Sequence, residues 1–308
     1  MKPERFDLIN SPHSSIMWNL NKSINDPNIR NIIADRIAQF LPIRSPFSEF
    51  KGSTAHQTLI KLLKDEGWVG LKQKLNDPDI AKIITYFEQC DDTVVEKSLT
   101  HYKIADIVNA PYLLQLAVNS EILHTVASYL KVAPTVVDIC AWWSHATDKE
   151  PFGAQILHRD RDDFRFCKLF LYLTDVNTDN GPHTFLPRSH TVEGITKLFE
   201  NRNNQPDQIQ RAFANDSRQS SDWIRTQCES DILEIIGDRG SAFLVNTFGY
   251  HCGKPPRKGS RLVFQVVYAQ QAYNRRIERL SQTHHLPLPD FVTNNAMARY
   301  ACRLIGKA

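Results

Sequence analysis

Residues 155–190 read QILHRDRDDFRFCKLFLYLTDVNTDNGPHTFLPRSH. Near its start, His158 and Asp160 are separated by one residue in a context that favours an extended chain. Side chains at positions i and i+2 of a strand leave the same face, about 6.6 Å apart along the chain. An imidazole and a carboxylate are therefore directed to one place. One more imidazole would complete the set of two histidines and one carboxylate that suits non-haem Fe(II).

The missing imidazole is found far downstream, in NTFGYHCGKPPRKGSRLVFQVVYA at residues 246–269. His251 lies in this stretch, and Arg261 follows ten residues later in a run that is typical of a strand. The long separation from Asp160 fits ligands on opposite sides of one barrel that folding brings together. The sequence therefore predicts a metal site formed by His158, Asp160 and His251.

These residues, in this order, resemble the Fe(II)/2-oxoglutarate-dependent dioxygenases. The block KLFLYLTDVNTDNGPHTFLPRSH at residues 168–190 resembles more narrowly the phytanoyl-CoA dioxygenase family, with an apolar strand, Asn-Gly and a Leu-Pro-x-Ser-His ending. The resemblance covers residues 155–269 and extends more loosely back to Gly67. It implies an enzyme that binds Fe(II), uses 2-oxoglutarate and O2, and releases succinate and CO2.

The fold expected from this resemblance is an α+β chain with a mainly β core. It is a double-stranded β-helix, a jelly-roll or cupin-like barrel of two sheets, and helices of the N-terminal half buttress one sheet. We expect residues 1–50 to be a helical extension packed on the core and residues 51–308 to be the dioxygenase domain. A helical insertion near 191–232 is expected to help cover the site.

Local patterns give individual elements. Apolar residues at helical spacing predict helices at residues 28–41, 53–64 and 76–87, and a pair of helices within 111–131. We expect the second helix of that pair to begin with Ser120 as its N-cap. Runs rich in β-branched and aromatic residues predict strands at 67–71, 135–144, 168–173, 240–246 and 261–269.

The far carboxylate of 2-oxoglutarate needs a fixed cation, and a guanidinium offers it two parallel charge-assisted donors. The resemblance gives this role to Arg261, with Arg257 as a reserve. Lys168 is a candidate second contact, because a lysine in an apolar strand needs a partner; the alternative is an edge-strand lysine that reaches water. Gln155 is a further candidate contact. The family often has a hydroxyl two residues after the distal histidine, where this chain has Gly253.

Other side chains near the motif have two interpretations each. Trp142, Trp143 and Ser144 end the predicted strand before the motif, where they either lie near the pocket or pack in the core. His183 follows the Asn-Gly turn and is a candidate to face the substrate. The charged loop at residues 161–166 is interpreted as a solvated rim.

Composition indicates a globular protein and argues against some partners. The chain has 308 residues, of which 42% are hydrophobic and 10% aromatic, enough for a sizeable core. A net charge of +3 gives no indication of nucleic acid or of an anionic membrane surface as partner. The chain begins without the apolar core of a signal peptide, and its six cysteines include no Cys-x-x-Cys pair. We therefore expect reduced thiols and a cytoplasmic location.

Three other functions would use some of the same residues. A zinc enzyme would accept the ligands, but it leaves the downstream arginine and the pattern of residues 155–190 unexplained. A catalytically altered metal-binding barrel usually has a broken triad, whereas this one is intact. A Ser/His/Asp hydrolase would need Gly-x-Ser-x-Gly, which the sequence lacks.

The sequence therefore favours a dioxygenase acting on a small molecule, free or carrier-bound. Halogenating relatives lack the carboxylate ligand, so Asp160 predicts hydroxylation, desaturation or ring chemistry of a C–H group, without chlorination. The substrate and the oligomeric state are not specified by the sequence.

Overall fold

Antiparallel strands in two sheets form the frame that holds the candidate ligands. The computed structural model describes residues 12–41, 54–71, 75–91, 93–200, 210, 212–213, 221–271, 283 and 286–306. The strands of these residues are β1 (Trp68–Leu71), β2 (Val94–Glu96), β3 (Leu99–His101), β4 (Thr135–His145), β5 (Phe166–Tyr172), β6 (His183–Phe185), β7 (Leu233–Ile235), β8 (Ala242–Val245), β9 (His251–Gly253) and β10 (Ser260–Ala269).

The larger sheet has seven strands in the order β1-β8-β5-β10-β4-β3-β2, and the smaller sheet has three in the order β7-β6-β9. The inner faces of the two sheets share one apolar cluster. Phe170 and Tyr172 of β5 contribute from the larger sheet, and Phe185 and Ile235 contribute from the smaller one. Two antiparallel sheets packed face to face are the predicted jelly-roll, which is confirmed.

Helices cover the outer face of the larger sheet. The described helices of four or more residues are α1 (Pro12–Ser23), α2 (Pro27–Phe40), α3 (Thr54–Asp65), α4 (Asp77–Glu88), α5 (Ile104–Asn109), α6 (Leu113–Ala117), α7 (Ser120–Leu130), α8 (Val192–Glu200), α9 (Ser221–Cys228), α10 (Asp290–Thr293) and α11 (Ala296–Ala301). Leu169 and Leu171, which alternate with the inward residues of β5, pack in one cluster with Ile107 and Leu123 of these helices. The predicted buttress from the N-terminal half is therefore present.

The start of α7 differs by one residue from the expectation. The side chain of Asn119 accepts hydrogen bonds from the backbone N–H groups of Glu121 and Ile122, so Asn119 is the N-cap. Ser120 is the first helical residue. Both residue types are good N-caps, so the sequence alone does not separate two such neighbours.

Helix α2 is present as predicted, but it buries a different face. Ile29 and Ile32 are 48% and 61% exposed, whereas Arg30 is 1% exposed and Ala34 is fully buried. The Arg30 guanidinium lies under the helix because it donates to the carbonyl oxygen of Asp163, at 2.5 Å. The helical spacing of apolar residues therefore predicts the helix but not which of its faces is buried.

The loop after the His-x-Asp triplet is buried, so its interpretation as a solvated rim is wrong. Arg161, Asp162 and Asp163 are all less than a tenth exposed. Asn21 of α1 donates to the carbonyl oxygen of Arg161 at 2.8 Å. The Asp163 carboxylate accepts from the backbone N–H of Gln270, at 2.8 Å. Helices α1 and α2 cover this loop, and no local feature of the loop reveals that cover.

Three further points complete the fold. None of the six cysteines, all of which are described, forms a disulfide. Among the helices that the structure describes, none combines the length and the apolarity that crossing a membrane requires. The expectations for residues 1–11 and 42–53 fall outside the described part of the chain.

Candidate metal centre

The two candidate histidine ligands lie opposite each other in an isolated antiparallel bridge beside β9. The backbone N–H of His158 donates to the carbonyl oxygen of His251, and the reverse bond is also made, both at 2.9 Å. Residues directly opposite each other in such a pair point to the same face. Both imidazoles accordingly enter the barrel, with 4.3 Å between ring centroids.

Each imidazole is oriented by its own main chain. Nδ1 of His158 donates to the carbonyl oxygen of Ile156 at 2.7 Å, and Nδ1 of His251 donates to that of Gly249 at 2.9 Å. A carbonyl oxygen only accepts, so Nδ1 carries the proton in both rings. The Nε2 lone pairs are therefore available to a metal, which is the orientation that such outer hydrogen bonds fix in metalloproteins.

Asp160 completes the cluster. Its Oδ2 lies 3.2 Å from Nε2 of His251, and its Oδ1 lies 3.6 Å from Nε2 of His158. One ligand atom from each of the three residues falls within 4.8 Å of the others. Two donors at right angles on an ion, each about 2.1 Å from it, are about 3 Å apart. The spacing therefore suits a single ion.

Charge around Asp160 keeps it ionised. Burial alone would raise the pKa of this carboxyl, but the Lys168 ammonium and the His251 imidazole outweigh burial and hold the pKa well below its ordinary value. Burial lowers the pKa of His251, and so does the neighbouring His158. Metal binding requires an ionised carboxylate and an unprotonated imidazole nitrogen, and both shifts favour these states.

Lys168 is not the edge-strand lysine of the predicted alternative, and it has two carboxylate partners within the protein. Its strand β5 lies between β8 and β10, so it is not an edge-strand lysine. Its Nζ lies 2.5 Å from Oδ2 of Asp160 and 3.0 Å from Oδ2 of Asp162. The ammonium therefore bridges two carboxylates, one of which is the candidate metal ligand. Asp162 lies in the loop that the sequence predicts to be solvated, so no local pattern indicates its contact with Lys168.

Arg261 lies on the inner face of β10, directly opposite Ser144 of β4. It is 3% exposed, its Nη2 is 3.5 Å from Oγ of Ser144, and its Nε has no hydrogen-bond partner among the described residues. Burial lowers the pKa of this guanidinium, and no carboxylate of the described residues pairs with it. A buried cation without an anion is costly, so this arrangement favours an anionic ligand.

The two other cosubstrate candidates, Arg257 and Gln155, are placed differently from Arg261. Arg257 is an exposed loop residue whose backbone N–H donates to the carbonyl oxygen of Asp179. Gln155 is buried, but its Oε1 accepts from the N–H of Phe152 at 3.2 Å and its Nε2 donates to Oγ of Ser98 at 3.3 Å. The geometry favours neither residue as a contact to the cosubstrate.

Of the remaining candidates, the two tryptophans lie on opposite faces of the larger sheet, and His183 lies on the smaller sheet. Trp142 packs against the inner cluster, whereas Trp143 packs on the outer one and donates from Nε1 to the hydroxyl of Tyr102 at 3.0 Å. His183 is buried on the inner side, 5.5 Å from the ring of His251. Burial lowers its pKa well below the ordinary value, and the charges of His251 and Arg261 lower it further.

Comparisons with known proteins give similarities of structure only. No family model and no curated protein matches the sequence. Among solved structures, the non-heme alpha-ketoglutarate-dependent epimerase SnoN of nogalamycin biosynthesis, in complex with Fe3+ and alpha-ketoglutarate, is 15% identical, with a TM-score of 0.49 over 70% of this chain and 83% of that one. Iron-bound EctD from S. alaskensis is 14% identical, with a TM-score of 0.49 over 74% and 83% of the two chains.

HygX from Streptomyces hygroscopicus, solved with nickel and 2-oxoglutarate, is also similar. It is 14% identical, with a TM-score of 0.47 over 69% of this chain and 86% of that one. Similarity of this strength does not decide what a protein does.

Proposed function

We propose that this protein is a non-haem Fe(II)- and 2-oxoglutarate-dependent dioxygenase that hydroxylates a C–H group of a small molecule. The observation that carries the proposal is a buried guanidinium that has no anionic partner among the described residues, on the wall of the barrel that also holds a His–Asp–His cluster. Arg261 supplies the guanidinium, and the cluster is His158, Asp160 and His251. Neither a catalytically altered metal-binding barrel nor a zinc enzyme requires this arginine.

The donor set fits a divalent iron. Two neutral imidazoles and one carboxylate are the facial arrangement of non-haem Fe(II) oxygenases, and they leave one side of the ion open. When bound, Fe(II) and 2-oxoglutarate together supply the activation of O2, with succinate and CO2 as by-products. The overall reaction converts R–H, O2 and 2-oxoglutarate to R–OH, succinate and CO2.

The residues of the chain have separate tasks in this reaction. The carbonyl oxygens of Ile156 and Gly249 hold the two imidazoles in one tautomer. Arg261 would pair with the far carboxylate of 2-oxoglutarate through its two parallel donors. Phe170 and Phe243, whose rings stack 5.2 Å apart, belong to the apolar cluster of the barrel interior and would keep water from the reaction.

The narrower family and the substrate are also part of the proposal. The motif of residues 155–190 supports a relative of the phytanoyl-CoA dioxygenases. A small metabolite, free or attached to a carrier, is the proposed substrate class. Asp160 fills the coordination position that a halide needs, so hydroxylation, desaturation or ring chemistry is proposed without chlorination.

The test is reconstitution of metal-free protein with Fe(II), 2-oxoglutarate and O2, together with a library of small metabolites. We expect succinate to form with Fe(II), and mass spectrometry with chloride in excess to show an oxidised product without a chlorine isotope pattern. Zn(II) in place of Fe(II) is the control and should give no succinate. Turnover that needs Zn(II), or that proceeds equally without 2-oxoglutarate, would overturn the proposal in favour of a zinc enzyme.

A further inference from the structure

His183 is a buried imidazole beside the metal cluster, and the proposed function gives it no task. It begins β6 and lies directly opposite Gly253 of β9 in the antiparallel register. Its ring stacks against that of His251 at 5.5 Å and lies 4.6 Å from the ring of Phe170. The imidazole is thus fixed on the inner side of the smaller sheet.

The His183 ring carries a buried nitrogen, Nε2, that no described residue satisfies. The side chain is 5% exposed, and Nε2 makes no hydrogen bond to any described residue. A buried polar atom left unsatisfied costs about 1–3 kcal/mol, and native proteins contain few of them. The imidazole is more than nine-tenths buried and sits beside the metal cluster, so its free nitrogen indicates a ligand in the barrel.

Gly253 shows where that ligand lies. A Cβ built on Gly253 would meet one neighbour within 4 Å, namely Nη2 of Arg261 at 3.2 Å. The space that a Gly253 side chain would fill is therefore next to the Arg261 guanidinium. Side chains directly opposite in an antiparallel pair share one face and have Cβ atoms about 5 Å apart. His183 consequently borders the same space from the other strand.

We propose that Nε2–H of His183 donates a hydrogen bond to the far carboxylate of 2-oxoglutarate, beside the Arg261 guanidinium. This role rests on the proposed function and adds a residue to the cosubstrate site. A carboxylate only accepts hydrogen bonds, so its presence selects the tautomer with the proton on Nε2. The glycine opposite His183 leaves room for the imidazole to reach that carboxylate.

The test measures ligand binding by calorimetry on Mn(II)-loaded protein without oxygen. The ligands are 2-oxoglutarate and 2-oxopentanoate, which has the same chain length but lacks the far carboxylate. His183→Leu should weaken 2-oxoglutarate binding roughly ten- to a hundredfold, the loss expected for one charge-assisted hydrogen bond. Binding of 2-oxopentanoate and of Mn(II) should change by less than about twofold.

Two further variants separate a hydrogen bond from a packing role. His183→Gln keeps a donor near the position of Nε2 and should retain most of the 2-oxoglutarate affinity. Adding Gly253→Ser to His183→Leu places a hydroxyl beside Arg261 and should restore part of the affinity. Gly253→Ala in the same background is the matched control and should not.

The outcomes are distinct. Equal weakening for 2-oxoglutarate and 2-oxopentanoate, or an unchanged 2-oxoglutarate affinity in His183→Leu, would overturn the role of His183. Equal affinities of the serine and alanine double variants would overturn its placement opposite Arg261. Failure of the wild-type protein to bind 2-oxoglutarate at all would instead contradict the proposed function.

Discussion

At the scale of single residues, Lys168 lies on a central strand, so the predicted alternative of an edge-strand lysine is wrong. Its ammonium lies between the carboxylates of Asp160 and Asp162, all three at the base of the candidate metal centre. A cation at this place holds one carboxylate oxygen of Asp160 and leaves the other directed at His158. Lys168 therefore fixes the orientation of the candidate ligand, and its contact to the cosubstrate stays a prediction.

The first prediction concerns the metal ligands. His251→Ala removes one of three donors, so Fe(II) content and succinate formation should both collapse, and His158→Ala should act alike. Metal analysis of reconstituted protein measures the first, and product analysis measures the second. His145→Ala, at an exposed position, is the control and should keep both. Full iron content in either ligand variant would contradict the assignment.

The second prediction concerns Arg261. Removing one partner of a buried ion pair costs roughly 3–5 kcal/mol. Arg261→Ala should therefore weaken 2-oxoglutarate binding at least about a hundredfold, at 1.4 kcal/mol per tenfold. The measurement is calorimetric titration of the Mn(II) form. Arg257→Ala, on the exposed loop, is the control; a larger loss there than at Arg261 would return the role to the reserve candidate.

The sequence predicts the positions of these side chains only where the alternation of a strand determines the face on which they lie. The two-residue period of a strand predicts that His158 and Asp160 share one face and that Lys168 shares a face with Phe170. The structure has both pairs in these positions. No local rule indicates that Lys168 meets Asp162, because that contact depends on helices α1 and α2 covering the loop. Burial of a charged loop is a property of the assembled fold.

At the scale of elements, strand pairing decides boundaries that local patterns leave open. The sequence predicts a strand at residues 168–173, whereas β5 spans Phe166–Tyr172. Phe166 and Cys167 are extended because they pair with Ala269 and Tyr268 of β10. The partner strand thus extends β5 at its start. In contrast, β4 matches its prediction to within one residue, because its β-branched and aromatic run is continuous.

The junction between α3 and the turn after β6 gives the third prediction. Nε2–H of His190 donates to the carbonyl oxygen of Lys64 at 2.8 Å, and burial lowers the pKa of His190 to about 4. The unfolded chain therefore binds more protons than the folded chain between about pH 6.5 and pH 4. This contribution to stability is fully present above about pH 6.5 and is lost as the pH falls towards 4, by roughly 3 kcal/mol in all.

His190→Gln removes this titration and keeps a donor for the Lys64 carbonyl. Urea unfolding of the metal-free protein between pH 4 and pH 7 should accordingly show a shallower loss of stability in acid. The free energy of unfolding at pH 7 should change by less, about 1 kcal/mol. Identical pH slopes for variant and wild type would show that His190 is not held neutral by the fold.

At the scale of the whole molecule, the N-terminal helices are attached to the loop that carries the candidate ligand. Arg30 donates to the carbonyl oxygens of Asn21 and Asp163, at 2.9 Å and 2.5 Å, and its guanidinium lies 4.4 Å from the ring centroid of Phe248. Asn21 in turn binds Arg161. One arginine therefore connects both helices to the segment between Asp160 and β5.

The fourth prediction follows from this attachment. Arg30→Ala removes several buried hydrogen bonds and leaves their carbonyl acceptors unsatisfied, so the free energy of unfolding should fall by roughly 2–4 kcal/mol. Arg36→Ala changes an exposed arginine of the same helix and should cost less than about 0.5 kcal/mol. Urea unfolding measures both. Equal losses of unfolding free energy in the two variants would show that α2 stabilises the protein by helix formation alone.

The same attachment has a consequence for synthesis on the ribosome. Asp163 follows Arg30 by 133 residues, a stretch that takes on the order of ten seconds to translate. Helices of 12 and 14 residues are marginal on their own. We expect α1 and α2, the earlier segments, to become ordered only after the ligand loop has emerged. In ribosome-bound chains of increasing length, protease resistance of α1 and α2 should appear only once Asp163 has left the exit tunnel, and earlier resistance would contradict this order.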